Sequence, residues 1–103
     1  MIDTAVNLCV AANELTALGA RRVFAFATHG LFSGTAAERI EGSALEEVVV
    51  SNTIPLGAAV AANTRKVRQL SVGKLLAHAI NSIHTGDSVS RLFDPSKGAA
   101  LLA

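Results

Sequence analysis

The chain has 103 residues, half of them hydrophobic and 17% charged, with a formal net charge of +1. Such a chain holds one domain at most: it can bury a single core, but it is short for a complete nucleotide-using enzyme. Its apolar content argues against disorder, charges or polar groups break every apolar run before the roughly 18 residues of a membrane helix, and interspersed charge without Trp or Tyr disfavours nucleic acid.

Met1 to Val10 contains Asp3 and lacks the basic start of a secretory signal, while the single cysteine, Cys9, cannot close an internal disulfide. A reducing, cytoplasmic setting is expected. From Thr4 to Leu18 the residues Ala5, Leu8, Cys9, Ala12, Leu15 and Leu18 recur at helical spacing, and Gly19 is expected to cap the end. The run Val23 to Ala27 predicts a strand buried on both faces, ended by Thr28, His29 and Gly30. Ser33 is a candidate cap for a short helix over 35–40, which Gly42 breaks. Val48, Val49 and Val50 favour a second strand, and Pro55 prevents its continuation. Leu56 to Asn63 is weakly patterned and reads as a helical turn or an irregular excursion, followed by a third short strand around Val67 to Leu70. Leu75, Leu76, Ala79, Ile80 and Ile83 mark one face of a helix that starts near Ser71 or Val72 and ends at Gly86, and a last turn covers Ser88 to Phe93. Strands alternating with helices imply parallel pairing and an α/β layer fold.

Asp3 and Thr4 stand directly before the first helix, where open backbone N–H groups and the helix dipole favour an anion such as phosphate. The plainer alternative, favoured by the local sequence, is that one of them simply caps the helix. His29, at the C-terminal end of the first strand, is placed to meet a ligand or to serve the structure alone. His78, His84 and Cys9 lack metal-ligand spacing, so no protein-held metal is expected. Gly30, Ser33 and Gly34 match neither the dinucleotide fingerprint nor the P-loop, and read as a turn.

Met1-Ile2-Asp3-Thr4-Ala5 resembles the middle of the ribose 5-phosphate loop of ribose-phosphate pyrophosphokinases, in which Asp-Asp-Met-Ile-Asp-Thr-Ala-Gly-Thr follows a hydrophobic strand. The resemblance continues, in family order, through the 24–34 segment, Ala37-Glu38-Arg39-Ile40, Asn52-Thr53-Ile54-Pro55, Leu70-Ser71-Val72, Ile83-His84 and 88–93. It implies a phosphoribosyltransferase-like α/β fold with a short parallel sheet flanked by helices, formed here as a partial C-terminal domain over residues 1–95 that lacks its first strand or strands. Residues 96–103 are expected to be a tail.

The implied reaction is transfer of the terminal diphosphate of Mg-ATP to ribose 5-phosphate, with positioning and charge neutralisation as its main requirements. Carried over by position, Asp3, Thr4, Ala5 and Asn7 form the ribose 5-phosphate loop. Ser88, Val89 and Ser90 resemble a phosphate or ADP effector segment, although Ser88 more simply caps the last turn. Where the family pattern has Gly-Thr, this chain has Val6-Asn7, which removes a close-approach glycine and a hydroxyl while Asn7 keeps a donor. ATP, with its Mg2+, is expected to bind only with the family's N-terminal portion, so the chain alone is expected to be inactive. The alternative is a non-catalytic subunit that joins full-length pyrophosphokinases in a homo- or hetero-oligomer, with no nucleic-acid or membrane partner.

Overall fold

The computed structural model describes residues 1–97, in two compact units: Met1–Leu70 and a second beginning at Ser71. Of the tail expected over 96–103, residues 98–103 lie outside the described residues. The first unit runs α1 (Val6–Ala17), β1 (Val23–Ala27), α2 (Ala36–Glu41), β2 (Leu45–Ser51), α3 (Ala58–Asn63), β3 (Val67–Leu70). Its three strands pair in parallel in the order β1-β2-β3, so each strand-to-strand connection carries a helix, as parallel pairing demands. The second unit holds α4 (Gly73–His84) and a 3-10 turn, Val89–Phe93. The α/β class expected from the alternation of elements is what forms, and the weakly patterned 56–63 stretch resolves into α3.

Strand alternation builds the core of the first unit. Ala25, Val48 and Val50 point to one face of the sheet and meet Cys9 and Ala12 of α1, Ala36 and Ile40 of α2, and Val60 of α3. Leu45 belongs to the same cluster, yet it lies three residues before Val48, a spacing that strict alternation forbids. A register shift solves this. Val23 pairs with Leu45 but Phe24 pairs with Glu47, so Glu46 is the extra residue of a bulge that returns β2 to the same face.

The strand at 23–27 is not buried on both faces. Phe24 is half-exposed and Phe26 is 75% exposed, because the helices of this unit all deliver their buried side chains to the other side of the sheet. Correspondingly, the expected face of α1 is cut short: Leu15 and Leu18 are exposed, while Ala5, Cys9 and Ala12 are buried. In α4 the apolar residues Leu76, Ile80 and Ile83 are exposed and Ser82 is the buried one, so periodicity located the helix but not the side it buries.

Both helix-ending glycines behave as expected. After α1, the Gly19 N–H bonds the Thr16 carbonyl at 3.1 Å and the Ala20 N–H bonds the Leu15 carbonyl at 3.0 Å, with Gly19 left-handed at φ 106°. After α4, Gly86 and Asp87 repeat the pattern onto Ile83 and Ser82. These paired bonds satisfy the last carbonyls of each helix and require a left-handed residue that only glycine adopts at little cost. The Gly19→Ala variant is expected to lose about 1–2 kcal/mol of stability, read by denaturant unfolding.

Beside the bulge, the Arg22 guanidinium grips Glu46 at 2.6 and 2.7 Å, and this hydrogen bonding holds the Glu46 carboxyl below the usual carboxylate range. The Thr64 hydroxyl, bonded to Glu41 at 2.7 Å, does the same for Glu41. A carboxylate with a depressed folded pKa contributes stability above its unfolded pKa and loses it as pH falls through the folded value. The melting temperature is therefore expected to decline below roughly pH 4.3, and Glu46→Gln is expected to remove part of that decline.

Candidate functional site

The segment 2–5 enters the fold just beyond the C-terminal end of β1. Ile2 forms a parallel bridge with Gly30: its N–H bonds the His29 carbonyl at 2.9 Å, and its own carbonyl receives the Leu31 N–H at 2.8 Å. The next two carbonyls are held by the same neighbouring segment. Asp3 accepts from the Ser33 N–H at 3.1 Å, and Thr4 accepts from Arg39 Nη1 at 2.9 Å. Buried Ile2 and Ala5 anchor the two ends of the loop and leave Asp3 and Thr4 exposed between them.

No peptide bond in the described residues is cis, and in a planar trans peptide the carbonyl of one residue and the N–H of the next point in opposite directions. With the carbonyls of Ile2, Asp3 and Thr4 all turned toward 31–39, the N–H groups of Asp3, Thr4 and Ala5 turn away from it. Directly after them comes the N-terminus of α1, whose first-turn N–H groups at Val6, Asn7 and Leu8 lack intrahelical acceptors. Ala5 is left-handed at φ 63°, the turn that curls consecutive N–H groups toward one point. A cavity of about 250 Å³ lies here, lined by residues 1–8.

The capping alternative fails for α1. Neither Asp3 nor Thr4 bonds the helix end through its side chain, and the N-cap position is occupied by Ala5, which has no polar atom to offer. The helix start is thereby left with open donors, its positive dipole end and no acidic residue in its first turn. Ser33 likewise is not the cap expected for α2: the N-cap there is Thr35, without a side-chain bond, and Ser33 contributes its backbone N–H to Asp3 instead.

At the C-terminal tips of β1 and β2, His29 Nδ1 and Thr53 Oγ1 share a hydrogen bond of 2.6 Å, and Ser51 Oγ donates to Thr53 Oγ1 at 3.1 Å. The His29 backbone and the Ile2 backbone are bonded to one another, so this polar cluster borders the 2–5 loop. The structure thus brings Asp3, Thr4, Ala5 and Asn7 together with His29 at one end of the sheet, the end at which open α/β sheets bind ligands.

Ser88, Val89 and Ser90 belong to the second unit. Ser88 Oγ accepts from the Ser90 N–H at 3.2 Å and shares a 2.6 Å bond with Ser90 Oγ, so its role as cap of the last turn is realised. Gly30, which reads as part of a turn, pairs with Ile2, and Arg39 and Thr53 border the loop without any local signal in the sequence. Arg39 acts from 35 positions along the chain, and no local pattern announces such a contact.

Comparison with known proteins shows the family of the chain. A family model described as the phosphoribosyl synthetase-associated domain matches residues 1–94. The chain is 50% identical over 93 residues to a ribose-phosphate pyrophosphokinase of Pasteurella multocida, covering 90% of this chain and 29% of that relative. It is 52% identical over 96 residues to a ribose-phosphate pyrophosphokinase of Burkholderia pseudomallei, covering 93% and 30%. The crystal structure of phosphoribosylpyrophosphate synthetase from Mycobacterium smegmatis matches with a TM-score of 0.78 at 34% identity, over 84% of this chain and 28% of that one. The chain therefore spans about 30% of the length of the curated relatives it matches. The phosphoribosyltransferase-like fold implied by the resemblance is shared, and no helix among the described residues is long and apolar enough to cross a membrane. With residues 1–94 matched and half of the aligned positions identical, the chain belongs to the phosphoribosyl synthetase-associated domain family, that of the ribose-phosphate pyrophosphokinases.

Proposed function

We propose that this chain carries the ribose 5-phosphate half of a ribose-phosphate pyrophosphokinase, a transferase of nucleotide biosynthesis in the cytoplasm, and that it does not turn over alone. The observation that supports the reading is the uncapped start of α1 beside a cavity lined by residues 1–8, among them Thr4 and Asn7, whose side chains carry hydrogen-bond donors. The sugar phosphate's anion occupies that end, and Asp3 and Ala5 complete the loop through their backbone.

The reaction moves the terminal diphosphate of ATP onto the ribose 1-hydroxyl. Magnesium, in this reading, arrives with ATP as part of the substrate complex. In this reading the chain's part is to fix the acceptor sugar. Val6 and Asn7 replace a glycine and a hydroxyl of the family pattern, which narrows the approach to the phosphate and weakens binding relative to that pattern.

Two measurements on the purified chain test this. Calorimetric titration with ribose 5-phosphate is expected to show saturable binding, and an assay with Mg-ATP and ribose 5-phosphate is expected to show no phosphoribosyl pyrophosphate. Turnover by the chain alone overturns the half-site reading, and absence of binding removes the sugar site.

A second reading, an assembly partner for full-length subunits, draws on the exposed apolar side chains Phe26, Leu18 and Phe93. Co-purification with a full-length pyrophosphokinase is its expected outcome.

A further inference from the structure

We propose that Arg39 is a positioning residue for the sugar-phosphate loop, holding the Thr4–Ala5 peptide in the one orientation that aims the Ala5 N–H at the bound anion. Its role depends on the sugar-phosphate reading of residues 3–7, but its contact does not.

Ala5 carries a side chain and yet sits at φ 63°, ψ 13°, a region that non-glycine residues occupy only when their surroundings over-determine it. The low-cost escape from that strain is rotation of the Thr4–Ala5 peptide plane, which exchanges positive for negative φ at Ala5 and moves neither Cα far. The same rotation swings the Thr4 carbonyl to the anion side and the Ala5 N–H to the other, replacing a donor by an acceptor where a phosphate needs donors.

The flanking peptides are secured by backbone. Leu31 and Phe32 hold the Ile2 carbonyl, Ser33 holds the Asp3 carbonyl, and the Cys9 N–H holds the Ala5 carbonyl at 3.0 Å. The Thr4 carbonyl has a side chain as its holder, Arg39 Nη1 at 2.9 Å. A charged donor to a carbonyl is the stronger kind of hydrogen bond. The base of that side chain is fixed, because Ala36, Ala37 and Ile40 bury α2 on either side of it. Arg39 is exposed and forms no ion pair among those found in the described residues, so its contact with the loop is not secondary to a carboxylate.

A plainer role exists: Arg39 lies in the last turn of α2, where positive charge favours the helix dipole. The two roles differ in what they move. Loss of dipole compensation frays α2 and leaves Ala5 alone, whereas loss of the clamp releases Ala5 and leaves α2 intact.

The experiment compares the wild-type chain with Arg39→Ala and Arg39→Lys by NMR, thermal melting and calorimetric titration with ribose 5-phosphate. The NMR readout is the sign of φ at Ala5, taken from its backbone coupling and its intraresidue N–H to Hα contact, together with hydrogen exchange at the Ser33 and Cys9 amides. Expected are loss of the positive-φ signature in Arg39→Ala, about tenfold weaker sugar-phosphate binding, a melting temperature close to wild type, and recovery of most of both signals in Arg39→Lys.

Retention of positive φ at Ala5 with weakened binding overturns the clamp in favour of direct ligand contact. A uniform rise in exchange across α2 and the sheet overturns it in favour of a structural role. If the wild-type chain binds no ribose 5-phosphate, the sugar-site reading falls, and the Ala5 conformation still decides whether Arg39 holds the loop.

Discussion

Truncating Ile40 to alanine is expected to lower the free energy of unfolding by about 2–5 kcal/mol, the range for emptying a fully buried aliphatic site. Ile40 has no exposed surface and stands where α2 meets the cluster formed by Leu45, Val48 and Val50 of the sheet. Helix α2 has six residues, too few to persist without tertiary packing, so its place depends on Ala36, Ala37 and Ile40. Surrounding backbone in β2 cannot collapse into the space, because its strand partners on both sides fix it. Denaturant unfolding of the variant, with an unchanged slope, is the measurement. A loss below about 1 kcal/mol would show that the site closes up and that the core is less rigid than its burial suggests.

The second large effect is expected at Gly30, where Gly30→Ala overpacks rather than empties the core. An added Cβ would run into Phe32 Cε2 and come within 2.7 Å of Phe32 Cζ and 3.1 Å of Val50 Cγ1. Neither neighbour has room to give way. Phe32 is buried and already held at φ 55°, and Val50 lies in the middle of the core. Forcing a methyl group into such a site costs about 1–3 kcal/mol. The consequence reaches the candidate site, since Leu31 and Phe32 supply the N–H groups that hold the Ile2 carbonyl. Displacing the Phe32 ring shifts those donors, so ribose 5-phosphate affinity is expected to fall together with the melting temperature. Unchanged stability in Gly30→Ala would mean that the 30–33 loop relaxes freely and does not brace the 2–5 segment.

The candidate site was partly legible in the sequence. Asp3 and Thr4 before a helical pattern offer either a cap or an anion site at its start, and the ordered blocks from Met1-Ile2-Asp3-Thr4-Ala5 onward resemble a family, a likeness that implies a sugar-phosphate loop there. Illegible was how the donors come to be free. Propensity favours Asp or Thr as the cap, and the local choice is overridden because the carbonyls of 2–4 are drawn to residues 31–39. That displacement moves the N-cap to left-handed Ala5, a conformation with no signature in an alanine.

The fold shows the same division. Helical spacing in 4–18 and 71–86, the valine run at 48–50 and the glycines at 19 and 86 determine their elements locally, because 3.6-residue periodicity, β-branching and left-handed caps are properties of neighbouring residues. By itself the sequence therefore determined the order of the elements other than α3, the parallel α/β class and the family. Which face each element buries was decided by tertiary structure alone. Phe24 and Phe26 read as core residues and are exposed, and Leu45 reaches the core only through the bulge at Glu46. The clamp of Arg39 on Thr4 likewise exists only once α2 has docked on the sheet. Burial and register depend on what packs opposite, and a chain does not carry that information in any one stretch of its residues.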